Sequence, residues 1–200
     1  MSDIRSTYTR IPPGPYTYWC HLLRLPEFIR LSTSLLPFAT HYMSAPREKA
    51  SCWQHKLEAM ACNGARNENL RVGIVWNGGE THSLDRFRSI HLDSVKPLFA
   101  VQGVTWFSVQ KGINERQTES LEAVCDLHTL GPSIDDFTDT LGILEALDLL
   151  VTVDTSVAHL AGAAGVPVWV LVPAYSEWRW LKDRRIVRGI RRCGYSGNVS

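Results

Sequence analysis

The residues best suited to chemistry lie in "VDTSVAHLAGAAGVPVWVLVP" (153–173), where Asp154, Thr155, Ser156 and His159 interrupt an apolar, Ala/Gly-rich stretch. A helix beginning near Thr155 presents unpaired backbone N–H groups and the positive end of its dipole, which together attract an anion. Thr155 and Ser156 add hydroxyl donors. His159 lies one turn on, on the same face as Thr155, because positions i and i+4 are neighbours. Two readings of Asp154 stand: a plain N-cap, or an acceptor for sugar hydroxyls, since a carboxylate there repels phosphate. His159 likewise reads either as a packed histidine or as a ligand.

These residues need elements to position them. From Leu70 onward the pattern alternates. "LRVGIVW" (70–76), "VTWFSVQ" (104–110), "LHTL" (127–130), "LLVTV" (149–153) and "VPVWVLV" (166–172) read as short buried strands. Between them "HLDSVKPLFA" (91–100), "INERQTESLEAVC" (113–125), "TDTLGILEALD" (138–148) and "TSVAHLAGAAG" (155–165) read as helices. Thr138 or Asp139 is the expected N-cap of the third, and Gly165 closes the fourth. Strands alternating with helices at this spacing predict an α/β fold, a Rossmann-like parallel sheet flanked by helices.

In such sheets ligands bind beyond the carboxyl ends of the strands. Four loops there carry residues that a turn does not require: "NGGETHSLDRFRS" (77–89) with Arg86 and Arg88, "QKGINE" with Lys111 and Glu115, "DTSVAH", and "PAYSEWRWL" with Trp178 and Trp180. Each has a plain alternative. The arginines read as solvated, Lys111 and Glu115 as a surface pair, Asp139 as a cap, and the tryptophans as a seal on the sheet's end. Their joint placement favours a site for a phosphorylated ligand. Gly78 and Gly79 allow close approach, and an arginine pairs bidentately with phosphate.

The 200 residues suit one domain with an appendage, and a chain of that size buries roughly 70% of its unfolded surface without disulfides. A net charge of +1 gives no global argument for nucleic acid. Cys20, Cys52, Cys62, Cys125 and Cys193 include no C-x-x-C pair, which reads as free thiols in a reducing compartment. With no secretory signal and no run of about 18 apolar residues, a soluble, cytoplasmic protein is expected. Residues 1–69 are irregular apart from a helical pattern in "PREKASCWQHKLEAMAC", and 182–200 form a basic tail. There is no G-x-G-x-x-G after the first strand and no G-x-x-x-x-G-K-[ST], which sets back a dinucleotide oxidoreductase and a P-loop enzyme.

Taken together, "RVGIVWNGG", "LDRFRSI", "LFAVQGVTWFSVQKG" and "DDFTDTLGILEALDLLVTVDTSVAHLAGAAGVPVWVLVPAYSEWRWL" resemble the C-terminal domain of heptosyltransferase-like (family nine) glycosyltransferases. The likeness is to the branch found with tetratricopeptide repeats. It covers about residues 70–181, with a fainter echo of the interdomain segment in "LRLPEFIRLSTSLLPF". It implies the C-terminal half of a GT-B fold, in which this domain binds a nucleotide-diphosphate sugar and the N-terminal domain binds the acceptor. Residues 1–69 would then be a remnant of the acceptor domain or interdomain segment, too short to supply the family's catalytic base. By resemblance Asp154, Thr155 and His159 meet the donor diphosphate and sugar, with Ser156 beside them. Arg88 meets the phosphates and Glu115 the nucleoside. No catalytic residue, metal or cofactor is assigned. The expectation is a glycosyltransferase-type donor domain, incomplete as an enzyme on its own; the alternative is a non-catalytic nucleotide-sugar binding module.

Overall fold

The computed structural model describes Pro15, Tyr18, Cys20, residues 24–29, 42–61, 69–79, 88–123, 125–172 and Trp180. Arg86, Trp178 and the basic tail lie outside the described residues. Two compact units divide the chain, Met1–Pro37 and Phe38–Ser200. In the first, a single turn, α1 (Leu25–Phe28), begins with Pro26 in its first turn, and the Arg24 guanidinium lies 5.8 Å from the Phe28 ring centre.

The second unit holds five parallel strands, β1 (Leu70–Val75), β2 (Val104–Ser108), β3 (Leu127–Thr129), β4 (Leu149–Val153) and β5 (Val168–Leu171). Their order is β3-β2-β1-β4-β5, so β1 and β4 adjoin at the centre, with Val72 opposite Leu149 and Ile74 opposite Val151. This is the Rossmann-like α/β sheet expected from the alternating pattern. Side chains alternate across it. Val72, Ile74 and Trp76 join Trp106 and Phe99 on one face, whereas Val75 joins Phe107, Leu150 and Val170 on the other.

Three helices supply the second face: α2 (Arg47–Ala61), α4 (Phe137–Glu145) and α5 (Ser156–Ala164). The helical pattern near residue 47 is met, and its buried positions Trp53, Leu57 and Ala61 fall four residues apart on one stripe. The opposite face is covered by a short helix, α3 (Leu92–Val95), continued as a 3₁₀ turn over Lys96–Ala100. Gly165 closes α5 in the left-handed conformation, φ 73°, as its position after the last helical residue requires.

Two sequence expectations are corrected. The described residues of 113–125 form no α-helix. Glu115, Gln117, Glu119 and Leu121 each donate to the carbonyl three residues back, and only Glu119–Leu121 is a regular 3₁₀ turn. The segment has too few apolar residues for a helical stripe: Ile113 is exposed, while Thr118 is buried and shares a hydrogen bond with the Thr129 hydroxyl. The N-cap of α4 is neither Thr138 nor Asp139 but Asp136, whose carboxylate accepts from the N–H groups of Thr138 and Asp139. Asp139 is instead buried and accepts hydrogen bonds from Lys49 Nζ (2.6 Å) and Trp53 Nε1 (2.9 Å) of α2 and from the Asp135 N–H (3.2 Å).

Candidate functional site

In a sheet of order β3-β2-β1-β4-β5 the chain changes direction of winding between β1 and β4, and the loops leaving their carboxyl ends part to open a crevice. The β4 loop is Asp154–Thr155. Thr155 takes the N-cap position of α5 with an extended backbone, but its side chain caps nothing. Its hydroxyl lies 3.4 Å from that of Thr152, a buried strand residue that also donates to the Val153 carbonyl. The Ala158 N–H donates to the Thr155 carbonyl at 3.1 Å, but no N–H of the first turn is met by the Thr155 hydroxyl, and the helix start keeps its attraction for an anion. Of the two sequence readings of Asp154, the plain cap is removed, because Asp154 stands one residue before the cap.

Arg88 returns from the β1 loop to this point. Its Nη1 donates to the Asp154 carbonyl at 3.1 Å, bridging residues 66 apart in the chain. His159 Nε2 stands 3.8 Å from Asp154 Oδ1, too far for a hydrogen bond but close enough for charge attraction when the imidazole is protonated. The His159 ring stacks on buried Trp180, with centres 5.7 Å apart and planes inclined by 24°. The fold thus gathers Arg88, Asp154, Thr155 and His159 around the start of α5. Ser156, the first residue of that helix, is exposed.

Glu115 lies on the β2 loop and pairs with Lys111 at 3.1 Å, the surface pair of the sequence reading. Lys111 has a second task, since its Nζ donates to the Gly131 carbonyl at 3.0 Å. Gly131 sits so tightly that a Cβ there would stand 2.2 Å from the Gln110 carbonyl oxygen and 2.8 Å from Glu115 Cβ. The loops after β2 and β3 are therefore pressed together.

Sequence reasoning passed over Gln110. Its buried carboxamide accepts from the N–H groups of Trp76 (3.2 Å) and Asn77 (3.0 Å) and donates to the carbonyls of Asn77 (3.3 Å) and Lys111 (3.0 Å). The signal was a polar residue ending the apolar run "VTWFSVQ". Among the described residues no group of three or more His, Cys, Asp or Glu side chains is placed to hold a metal ion. Nor is any described helix long and apolar enough to cross a membrane.

No protein-family profile matches the chain. Among curated proteins, Protein FlbA of Caulobacter vibrioides is 22% identical over 169 residues, which is 82% of this chain and 27% of FlbA. Among solved structures, the ADP-heptose lps heptosyltransferase II of E. coli superposes with a TM-score of 0.51 at 14% identity, over 78% of this chain and 46% of its own. A glycosyl transferase of family nine from Veillonella parvula gives a TM-score of 0.46 at 16% identity, over 68% of this chain and 38% of its own. The chain thus spans about a quarter of the FlbA length and under half of each solved chain. The likeness to the E. coli heptosyltransferase establishes a shared fold, with this chain's sheet matching part of a GT-B glycosyltransferase.

Proposed function

We propose that residues 70–181 form a donor-binding domain of glycosyltransferase type, which takes a nucleotide-diphosphate sugar at the crevice between β1 and β4. The observation that carries this reading is the convergence of Arg88, Asp154 and His159 on the uncapped start of α5. A diphosphate suits that place for three reasons. The helix start offers N–H donors, Arg88 offers a guanidinium, and the hydroxyls of Thr155 and Ser156 complete an anion's hydrogen bonds. Asp154 accepts from hydroxyls of the ribose or the transferred sugar, with the His159 imidazole beside it. Glu115, on the neighbouring loop, faces the nucleoside. The fold shared with an ADP-heptose transferase supports a sugar nucleotide over a free dinucleotide, as does the missing glycine fingerprint after β1.

In this reading the 200 residues bind the donor but transfer little sugar alone. Transfer needs an acceptor held in line and a base for its proton; positioning by itself supplies ~7–11 kcal/mol of such a barrier. Both would come from the facing domain of a GT-B pair. A cytoplasmic setting, where sugar nucleotides are plentiful, fits the free thiols.

The test is calorimetric titration with ADP, GDP and UDP and their sugars. Saturation a hundredfold above Kd stabilises the fold by about 2.7 kcal/mol, which a melting curve reads. Arg88→Ala should weaken binding by roughly 1.5–3 kcal/mol, the range for a charge-assisted bond, and Thr155→Ala by less. If both variants bind a nucleotide as tightly as the parent chain does, the site lies elsewhere.

A further inference from the structure

Gln110, buried at the carboxyl edge of the sheet, bonds to two loops at once. It ends β2, yet three of its four hydrogen bonds go to the first residues beyond β1. Those residues hold the other end of the same loop. The Trp76 carbonyl accepts from the Ile90 N–H at 2.8 Å, and the Gly78 N–H donates to the Ser89 hydroxyl at 2.9 Å. Arg88 is the next residue back, and its guanidinium reaches the Asp154 carbonyl. A continuous path of hydrogen bonds and main chain therefore runs from Gln110 through residues 76–78 and 89–90 to Arg88.

We infer that Gln110 is the positioning residue of the anion site: it fixes the backbone at Trp76–Asn77, and through that pairing it sets where Arg88 stands. The inference rests on the donor-site reading only for the identity of the ligand. The carboxamide is suited to the task because it offers an acceptor and two donors without charge. A carboxylate could not donate to the Asn77 and Lys111 carbonyls, and an apolar side chain would leave the Trp76 and Asn77 groups without these partners in a buried place. Fixing a loop before the ligand arrives removes an ordering cost from binding, so loosening it shows as lost affinity without a lost contact.

The experiment compares Gln110→Met, which keeps length and volume, with Ile143→Ala, which opens the core under α4 without removing any of these hydrogen bonds. Two measurements are made on the full chain. Amide exchange without ligand should show Gly78 and Ile90 exchanging at least about tenfold faster in Gln110→Met than in Ile143→Ala at matched global stability. ADP, GDP and UDP titration should show Gln110→Met binding about tenfold weaker, with most of that loss absent when Arg88→Ala is already in place, because coupled residues are not additive. Ile143→Ala should bind as the parent does. Unchanged protection of Gly78 and Ile90 in Gln110→Met overturns the inference, as does an affinity loss of the same size with and without Arg88. If the parent chain binds no nucleotide, the donor reading fails, and the exchange measurement still decides the role of Gln110.

Discussion

Asp139 illustrates how far a residue's neighbours can move it from its expected role. Burial raises its carboxyl pKa, but the hydrogen bonds from Lys49, Trp53 and the Asp135 N–H outweigh that, and the group ends at about 2 against an ordinary 3.8. A carboxyl whose folded pKa is lowered stabilises the fold above its unfolded value and loses that contribution as pH falls through the folded one. At neutral pH Asp139→Ala should cost about 1–3 kcal/mol, because Trp53 Nε1 and the Asp135 N–H lose their acceptor. In urea titrations the gap between variant and parent should be constant above pH 3.8 and narrow between there and about 2. A gap that stays constant to the lowest pH would show that the charge on Asp139 contributes nothing. Lys49→Met should have a smaller effect, since its ammonium is already partly in water.

At the scale of elements, the α2–α4 contact decides how the second face is covered. Gly142 of α4 lies against the backbone of α2, where an added Cβ would stand 2.9 Å from Trp53 Cδ1 and 3.1 Å from the Lys49 carbonyl oxygen. Two effects of Gly142→Ala oppose each other. Alanine favours the helix by about 1 kcal/mol relative to glycine. Overpacking against a neighbour's backbone costs about 1–3 kcal/mol, and a main-chain carbonyl cannot swing aside as a side chain does. The variant should be net destabilised and melt at a lower temperature, with its near-ultraviolet dichroism from Trp53 altered. A raised melting temperature would mean that α2 slides outward at little cost. The same contact accounts for Asp139, which could pair with Lys49 and Trp53 only because α2 comes this close.

For the molecule as a whole, the sheet begins at Leu70 but its core begins earlier. Trp53, Leu57 and Ala61 sit in the same cluster as Ile143, Leu144 and Leu150. A chain starting at residue 38 keeps every described member of that cluster and should retain a cooperative unfolding transition. A chain starting at residue 70 loses α2. Exposing the faces that Trp53 and Leu57 cover removes roughly 1.5–3 kcal/mol for each side chain, a large part of the 5–15 kcal/mol typical of a domain. That fragment should bind a hydrophobic dye and lose its sharp thermal transition. Should it melt as sharply as the longer chain, α2 is an ornament on a self-sufficient sheet domain.

The sequence by itself determined the five strands, α2 and the glycine that ends α5. Each is a local pattern of burial that neighbouring residues reveal without knowing their partners. It also brought Asp154, Thr155 and His159 into one place, since a strand leading into a helix sets their spacing. Only the tertiary structure decided which distant groups meet there. Arg88 reaches Asp154 across 66 residues, Gln110 reaches Asn77 across 33, and Asp139 finds its partners 86 and 90 residues upstream. The failed helix at 113–125 has the same origin. Its residues have polar, helix-compatible character, but of its described apolar side chains Leu121 and Cys125 pack on the core while Ile113 stays exposed, too few for a helical stripe. The fold engages Thr118 and Glu122 with Thr129 instead. Periodicity records how much of a segment is buried, whereas the partner of a polar group depends on which strand the topology lays beside it.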